Sequence, residues 1–494
     1  MTRAFFDFHN PLSKRDLLIL GGVTLLAGVI YLLASYLTYR IGFPLDDSWI
    51  HLTFARNLAE HGEWSFRPGV PSAGSTSPLW SALLAIGFLL NLEPYIWTYL
   101  LGLLTMWALS VICEITARRL VPTYTTQIPW VGVFIIVEWH LLWAAMSGME
   151  TLLHALIATI ILSALMMNSR RYLTMGLLAG LSVWVRPDGL TLLGPLVLAV
   201  FFNEKDTSSR LKSLLQILLG FGGVFLFYLL FNLLIGGTPM PNTFYAKQAE
   251  YTAWQERPLL ERLGQLLLQL LVGPSVLLIP GVIIWVVRSI KNRSWGSLLA
   301  ITWSVGYMFL YILRLPVYQH GRYIMPAMPI FFLIGLMAVM EFAAGKTFER
   351  YQWFVTTLWN ISLAAVTLLF ILLGARSYAQ DVALIEQEMV EPARWVASNL
   401  PPEAIIAAHD IGALGYFDQH TLIDLAGLVS PEVIPFISNE TRIAEYLNEK
   451  NANYLIAFSD LYENITSGKE IVFVTNGEIA QVGDYAPMTI YRWK

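Results

Sequence analysis

Long apolar runs separated by short polar connections dominate the chain up to about residue 374. A stretch without any charged residue runs from Leu17 to Leu37 and is 21 residues long. At about 1.5 Å of rise per helical residue, such a stretch spans a hydrocarbon core of roughly 30 Å, so the pattern predicts a transmembrane helix. No small-residue cleavage site follows this run, which favours a retained anchor over a signal peptide.

Further apolar runs predict more spans. They lie near residues 78–92, 94–112, 128–146, 151–167, 172–185, 189–202, 213–235, 265–287, 295–313, 323–340 and 353–373. With the first helix they give twelve candidates. A multi-pass membrane protein is therefore expected, placed in the cell membrane and in contact with its lipids.

The distribution of Lys and Arg predicts the orientation, because short cytoplasmic connections carry an excess of both. Arg3, Lys14 and Arg15 place the N-terminus in the cytoplasm. Five later connections are basic: Arg118–Arg119, Arg170–Arg171, Lys205–Lys212, Arg288–Arg293 and Lys346–Arg350. Placing all five inside favours eleven full crossings. Either one of the segments 78–92 and 94–112 is a half-crossing, or 128–146, which contains Glu138 and His140, is not a simple span.

Composition divides the chain into two regions with different contents of charged residues. Only 13% of the residues are charged and 56% are apolar, whereas a soluble domain has about 25% charged residues, so an ordinary soluble enzyme is excluded. Residues 375–494 include 17 acidic and 7 basic residues, whereas residues 1–374 include 18 acidic and 24 basic residues. We therefore predict a membrane module over 1–374 and a soluble domain over 375–494, outside the cytoplasm. The single cysteine, Cys113, excludes an intrachain disulfide and a cysteine-based zinc site.

The C-terminal region alternates short helical and β-branched runs, which predicts a small α/β domain. The strands are expected at Ala404–Ala408, Thr421–Asp424, Tyr454–Phe458, Glu470–Thr475 and Met488–Tyr491. No glycine-rich phosphate loop follows any of them, so nucleotide binding is unsupported, and no nucleic-acid partner is predicted. His409, Asp410 and Asp424 end successive strands. They either face a cleft or cap turns, and capping is the simpler interpretation.

The predicted external connections are the places where polar chemistry gathers. Residues 38–77 and 236–264 form loops longer than typical connections, and such loops often carry function. In the first of them, Asp46 and Asp47 stand directly after a transmembrane helix. Carboxylates are costly near lipid unless they cap a helix, bind a cation or do acid–base work.

The order of short motifs along these loops resembles the GT-C superfamily of polytopic membrane glycosyltransferases, and within it the bacterial branch that includes arabinofuranosyltransferases. The motifs are Asp46-Asp47-Ser48-Trp49-Ile50, Ala55-Arg56-Asn57-Leu58, Gly74-Ser75-Thr76-Ser77-Pro78-Leu79-Trp80, Ser147-Gly148-Met149-Glu150-Thr151, Arg186-Pro187-Asp188-Gly189, Pro241-Asn242-Thr243-Phe244-Tyr245-Ala246-Lys247 and His320-Gly321-Arg322-Tyr323. Each motif is short, so the specificity comes from their number and order.

The resemblance implies inverting sugar transfer from a polyprenyl-phosphate donor to a glycan, lipid or protein acceptor, with a first-loop carboxylate as base. Asp46 is the first choice as base and Asp47 the second, and the other would hold a divalent cation or orient a basic residue. Cations must stabilise the leaving phosphate. Arg322, Lys247 and Arg186 are the candidates, with His320, Tyr245 and Asn242 beside them.

Other residues complete the predicted site. Further first-loop candidates are His51, Arg56, Ser75 and Thr76. Glu150 and His154 stand four residues apart on one helix face. Either they form a satisfied pair, or the Glu150 carboxylate neutralises an arginine or helps to bind a divalent cation. Asp188 is a further supporting candidate.

A transporter or flippase of a lipid-linked sugar is the main alternative function. Transporters place ionisable residues near the membrane midplane and often show two similar halves. The acidic and basic residues here lie at segment ends and no repeat is visible, which favours the enzyme.

Overall fold

The computed structural model describes residues 12–344, 349–476 and 486–494. Arg3 and Lys346, which belong to two of the basic segments used for orientation, lie outside these residues. The first part of the chain is helical, apart from a short hairpin of β1 (Ser65–Arg67) and β2 (Val70–Pro71). Its helices are α1 (Lys14–Thr38), α2 (Asp47–His61), α3 (Pro78–Leu89), α4 (Pro94–Leu120), α5 (Trp130–Val137), α6 (Trp139–Met146), α7 (Thr151–Met166), α8 (Tyr172–Val185), α9 (Leu193–Asn203), α10 (Thr207–Gly236), α11 (Asn242–Glu250), α12 (Thr252–Gln255), α13 (Leu259–Leu271), α14 (Ile279–Lys291), α15 (Trp295–Arg314), α16 (Met328–Ala344) and α17 (Glu349–Ile385).

Among the described residues, seven helical segments are long and apolar enough to cross a membrane. They are Lys14–Thr38, Pro94–Leu120, Thr207–Gly236, Pro274–Lys291, Trp295–Arg314, Gln319–Phe342 and the apolar part of Trp353–Asn399. Shorter apolar helices lie at Pro78–Leu89, Thr151–Met166, Tyr172–Val185 and Pro187–Asn203. The multi-pass architecture is thus confirmed, whereas the count of eleven full crossings and the orientation of the termini stay predictions.

The number of membrane crossings was ambiguous between residues 78 and 146, and the structure shows two irregular segments there. Helix α3 has 12 residues, or about 18 Å, which is too short for a hydrocarbon core of roughly 30 Å. The segment 128–146 is broken at Glu138, whose backbone is extended and whose carboxylate accepts a hydrogen bond from the Leu141 N–H at 3.1 Å. The structure therefore contains both a shortened helix within 78–92 and an interruption within 128–146.

A third predicted span, 265–287, is wrong as one continuous helix. Helix α13 ends at Leu271, and the chain turns at Gly273, where φ is 111°. A 3₁₀ turn, Pro274–Leu278, then leads into α14. Only glycine adopts a backbone with this positive φ readily, and Pro274 cannot continue a helix, so Gly273 and Pro274 together account for the break.

The C-terminal part is built on a five-stranded sheet with strand order β4-β3-β5-β7-β6. The strands are β3 (Ile405–Ala408), β4 (Thr421–Asp424), β5 (Tyr454–Phe458), β6 (Ile471–Val474) and β7 (Met488–Arg492), and the helices are α18 (Glu391–Asn399), α19 (Gly412–Phe417), α20 (Glu440–Glu449) and α21 (Glu463–Thr466). Strands β4, β3 and β5 are parallel, and β7 pairs antiparallel with β5 and β6. All five predicted strands are confirmed.

Helix α17 runs without interruption across residue 374, where composition divides the chain, and joins α18 through a π-helical segment, Glu386–Val390. The division into a membrane module and a soluble domain remains a prediction about compartments. Asp424 accepts hydrogen bonds from the Ala426, Val429 and Ser430 N–H groups at 2.8, 2.6 and 3.3 Å, so the capping interpretation is confirmed for this residue.

The C-terminal sheet docks on the first loop through α19 and α2. The indole ring of Trp49 lies 4.8 Å from the Tyr416 ring and 4.7 Å from the Phe417 ring, measured between centroids. A Cβ atom at Gly412 would lie 2.1 Å from the Asp46 carbonyl oxygen. Glycine is therefore required for this close approach, which brings the C-terminal part against the residues that open α2.

Candidate active site

A cavity of about 330 Å³ opens where the first loop meets the ends of several apolar helices. The start of α2, the start of α7, the link between α8 and α9, helix α11, the end of α15 and the turn after it all contribute to its walls. The polar lining residues are Asp47, His51, Thr76, Glu150, Thr151, Arg186, Asp188, Thr191, Thr243, Lys247, Gln248, Tyr311, Arg314, Arg322 and Tyr323. Six of the seven sequence motifs thus meet around one space.

Asp47 forms the charged centre of the cavity. Its Oδ2 atom accepts a hydrogen bond from Arg322 Nη2 at 2.7 Å, and Lys247 Nζ lies 4.0 Å away. Both cations also donate to the Tyr323 hydroxyl, at 3.1 and 3.2 Å. Burial raises the pKa of Asp47, but Arg322 and Lys247 lower it by more. The pKa of this carboxyl group therefore lies well below its usual range. The carboxylate is therefore ionised at neutral pH.

Asp46 faces a different partner. Its two carboxylate oxygens accept hydrogen bonds from the Gly412 and Ala413 N–H groups, at 2.6 and 2.8 Å. Burial and the nearby Asp410 raise the pKa of Asp46 to about 7, and the two backbone hydrogen bonds offset part of the rise. Of the two predicted catalytic carboxylates, Asp47 lines the cavity and Asp46 ties α2 to α19. Because the pair is engaged by different partners, this arrangement does not favour one cation shared between them.

Arg322 has unused hydrogen-bonding capacity. Its side chain is 7% exposed, and its Nε and Nη1 atoms are buried without a hydrogen-bond partner among the described residues. The turn before it is left-handed at three successive residues, with φ of 49° at Gln319, 58° at His320 and 75° at Gly321. Non-glycine residues adopt this conformation at a cost, so the surrounding structure must hold the turn.

His320 holds this turn from outside the cavity. Its Nε2 atom lies 2.8 Å from Asp381 Oδ2 on α17, and that carboxylate also accepts a hydrogen bond from Trp143 Nε1 at 2.9 Å. The prediction that His320 lies beside the leaving phosphate is not supported by this placement. The contact instead fixes the backbone immediately before Arg322.

Arg186 is neutralised within the protein. Its Nη1 atom donates to Glu150 at 3.0 Å, its Nε to Asp188 at 3.2 Å and its Nη2 to the Tyr311 hydroxyl at 3.0 Å. The hydroxyl groups of Tyr307 and Tyr311 also donate to Asp188. Because all three guanidinium nitrogens are hydrogen-bonded, Arg186 lines the cavity as part of an ion-pair network and has little capacity left for an anion.

Of the two alternatives for Glu150, the structure shows the carboxylate that neutralises an arginine and not the pair with His154. Glu150 precedes α7, and its carboxylate bonds Arg186 and lies 3.3 Å from His51 Nε2. His154 Nδ1 instead hydrogen-bonds Ser182 Oγ at 2.8 Å inside the helix bundle. Burial raises the pKa of Glu150, but His51 and Arg186 outweigh it and bring the value to about 2.

The remaining first-loop candidates divide between the cavity and the docking surface. Thr76 lines the cavity, and Ser75 Oγ lies 3.4 Å from His51 Nδ1 in a buried network with Ser81. Arg56 donates to the Tyr416 carbonyl at 2.8 Å and its guanidinium lies 4.6 Å from that ring's centroid. Arg56 therefore holds α19 in place.

The second long loop shows the same division. Lys247 and Thr243 line the cavity, whereas Tyr245 is absent from its described lining. Asn242 donates from Nδ2 to the Leu428 carbonyl at 3.2 Å, and its backbone N–H donates to the Ala73 carbonyl at 3.0 Å. Asn242 thus joins the first loop to the C-terminal part instead of facing the cavity.

Sequence reasoning missed several lining residues. Arg314 is exposed at the end of α15 and lines the cavity. It meets the criterion that selected Arg322, a basic residue at the predicted external end of an apolar segment, so that signal was available. Tyr311 and Gln248 lie on helices and Leu428 in the loop after β4, and none of the three carried a comparable signal in the sequence. No group of three or more metal-binding side chains occurs in the described parts of the chain.

Comparisons with known proteins test the architecture. A family model described as a domain of unknown function (DUF8728) matches residues 378–491. No curated protein matches the sequence at a significant level. Among solved structures, ArnT from Cupriavidus metallidurans bound to undecaprenyl phosphate is similar with a TM-score of 0.55 and 16% identity, covering 98% of this chain and 99% of ArnT.

Two further structures agree. ArnT in the apo state has a TM-score of 0.55 at 15% identity, covering 96% of this chain and 98% of that one. The arabinofuranosyltransferase AftD from Mycobacteria has a TM-score of 0.50 at 14% identity, covering 98% of this chain and 42% of AftD. By fold, the chain is a polytopic helical membrane protein that is similar to ArnT and AftD over nearly its whole length.

Proposed function

We propose that this chain is an inverting glycosyltransferase. It transfers a sugar from a polyprenyl-phosphate donor to a glycan, lipid or protein acceptor on the outer face of the cytoplasmic membrane, with the N-terminus inside and the C-terminal part outside. The observation that carries the proposal is one cavity at the helix ends in which an ionised Asp47 meets Arg322 and Lys247. The undecaprenyl phosphate bound to ArnT supports a donor of this class.

The leaving phosphate binds Arg322 and Lys247. Negative charge develops on the phosphate as the glycosidic bond breaks, and preorganised cations stabilise that charge. The Nε and Nη1 atoms of Arg322 have no partner among the described residues, so each retains a donor for a phosphate oxygen. Arg314 at the rim adds a third cation, whereas Arg186 is taken up by Glu150 and Asp188.

Asp47 is the general base in this proposal, in place of Asp46. It removes the proton from the acceptor hydroxyl as that oxygen attacks the anomeric carbon from the face opposite the phosphate. The Nη2 atom of Arg322 holds Asp47, so the phosphate binds the other nitrogens of the guanidinium group. Donor binding also neutralises the two cations that depress the pKa of Asp47, which makes the base stronger when the donor is present.

The test is release of lipid phosphate by the purified protein from a panel of polyprenyl-phosphate sugars with acceptor present. We expect Asp47→Asn to lower turnover by about 10²–10⁴-fold, the usual contribution of a general base. Asp46→Asn should lose less, and Asp206→Asn, an exposed carboxylate before α10, is the matched control. Full turnover by Asp47→Asn would remove the assignment. Translocation of the donor without release of phosphate would favour a flippase.

A further inference from the structure

One edge of the C-terminal sheet contacts both helices that bring Asp47 and Lys247 into the cavity. The parallel strands β3 and β4 end at this edge, and α19 follows β3. The backbone of α19 hydrogen-bonds Asp46 at the start of α2 and Arg56 within it. Helix α2 carries Asp47 and α11 carries Lys247, and these two side chains approach each other in the cavity.

Helix α11 is held by the same sheet edge near both of its ends. At its start, Asn242 donates from Nδ2 to the Leu428 carbonyl, which lies after β4, at 3.2 Å. At its end, Glu250 Oε1 lies 3.8 Å from Nε2 of His409, the residue that directly follows β3. Lys247 lies between these two contacts, one helical turn before Glu250. The contacts therefore determine where α11 lies relative to α2.

His409 carries a positive charge in this setting. Its side chain is 18% exposed, and its Nδ1 atom lies 3.1 Å from the Tyr462 hydroxyl. Burial lowers the pKa of His409, but Glu250, Asp410 and Asp424 outweigh it and bring the value to about 9. The imidazole is therefore protonated at neutral pH, and its contact with Glu250 joins two full charges. Salt screens such a partly buried pair less than it screens a pair on the open surface.

We propose that His409 is a positioning residue for sugar transfer: through Glu250 it holds α11 so that Lys247 faces Asp47 and the leaving phosphate. This inference rests on the proposed function, because it takes Lys247 as a ligand of the phosphate. A lysine is a point charge on a flexible stem, so the backbone that carries it must be fixed. Among the described lining residues of the cavity, only Leu428 belongs to the C-terminal part, which thus acts on the cavity mainly by holding its helices.

The first experiment measures binding of undecaprenyl phosphate, a lipid phosphate without a sugar, to the purified full chain. We expect His409→Gln and Glu250→Gln each to weaken binding about tenfold, within the 10²-fold or so that a 1 Å misplacement costs. His409→Lys keeps a positive charge beside Glu250 and should recover part of the affinity. The matched controls His61→Gln and Glu256→Gln change exposed residues of the same two types and should leave the affinity unchanged. Wild-type affinity in His409→Gln overturns the inference.

The second experiment asks whether His409 acts through Lys247. In a Lys247→Met background, His409→Gln should cause little further loss of affinity, because both changes remove the action of one ammonium group. Fully additive losses would show that His409 acts elsewhere and would overturn the inference. A merely structural role for His409 would lower the melting temperature and the folded fraction, while the folded molecules would bind with wild-type affinity.

Failure of the proposed function gives a different result from failure of this inference. A wild-type chain that binds undecaprenyl phosphate but releases none from any donor is not a transferase, yet the positioning of Lys247 by His409 still stands. A wild-type chain that turns over, with unchanged binding in both His409→Gln and Glu250→Gln, is a transferase in which His409 has no positioning role. A wild-type chain that does not bind the lipid phosphate removes both proposals.

Discussion

Replacing Arg322 separates its two proposed roles, binding the leaving phosphate and holding Asp47. The side chain is 7% exposed and donates to Asp47 at 2.7 Å and to the Tyr323 hydroxyl at 3.1 Å. Removing a buried donor that stabilises transition-state charge costs roughly 2.7–4 kcal/mol, or about 10²–10³ in kcat. We expect a loss of this size in Arg322→Ala. Arg322→Lys keeps the positive charge but lacks the planar guanidinium group with its several donors, so it should recover only part of the rate.

The same substitution predicts a change in the pH profile. In the wild type, Arg322 and Lys247 hold the pKa of Asp47 well below its usual range, so acidification to pH 5 leaves the base ionised. Without Arg322, one of the two cations that oppose the effect of burial is gone, so the pKa of Asp47 rises. Activity of Arg322→Ala should therefore fall on acidification within a range in which the wild type is flat.

The assay is the rate of lipid-phosphate release between pH 5 and pH 8, with the folded fraction of each variant checked by its melting temperature. Arg322→Lys serves as the folded reference if the alanine variant is unstable. An alanine variant that keeps its rate within about tenfold of the wild type contradicts the phosphate-binding role. A flat acid side in that variant contradicts the pairing of Arg322 with Asp47.

Four further predictions concern stability and positioning. Because the pKa of Asp46 is raised in the fold, its contribution to stability is greatest below pH 4 and is lost as the pH rises through about 7. Asp46→Asn should flatten this trend in melting temperature, and an unchanged trend would exclude Asp46 as its source. Gly412→Ala should cost roughly 1–3 kcal/mol by overpacking against Asp46, whereas Gly264→Ala, inside α13 with open space around its Cβ position, should leave the melting temperature unchanged or raise it. Equal shifts in the two variants would contradict the close contact. Asp381→Leu should raise the KM for the donor more than it lowers kcat, because it releases the turn before Arg322. Asp381→Asn should retain most of the affinity. A loss confined to kcat would argue against a role of Asp381 in positioning Arg322. Arg186→Met leaves Glu150 and Asp188 without their cation and should cost about 3–5 kcal/mol, seen as a large drop in melting temperature.

The sequence alone determined the elements whose signals are local. Apolar runs located the helices, because a segment in lipid must satisfy its own backbone and present apolar side chains. The five strands of the C-terminal sheet were placed within a residue or two by β-branched runs between turn residues. The order of the loop motifs indicated the GT-C architecture. The breaks at Glu138 and Gly273 were not resolved, because an interrupted span has nearly the same mean hydropathy as a continuous one.

Only the tertiary structure decided which polar residues share the cavity. Asp46 and Asp47 are neighbours in the chain, but successive side chains at the start of a helix diverge by about 100°, so one meets α19 and the other meets Arg322. Glu150 and His154 have the spacing of a pair on one helix face, yet Glu150 contacts His51 of α2 and Arg186 after α8 instead. Arg186 and Arg322 differ in anion-binding capacity because Glu150, Asp188 and Tyr311 occupy all three nitrogens of the first guanidinium, whereas Asp47 and Tyr323 occupy only Nη2 of the second. Packing between separate segments brings Glu150, Tyr311 and Asp47 to these positions, and no local pattern records it.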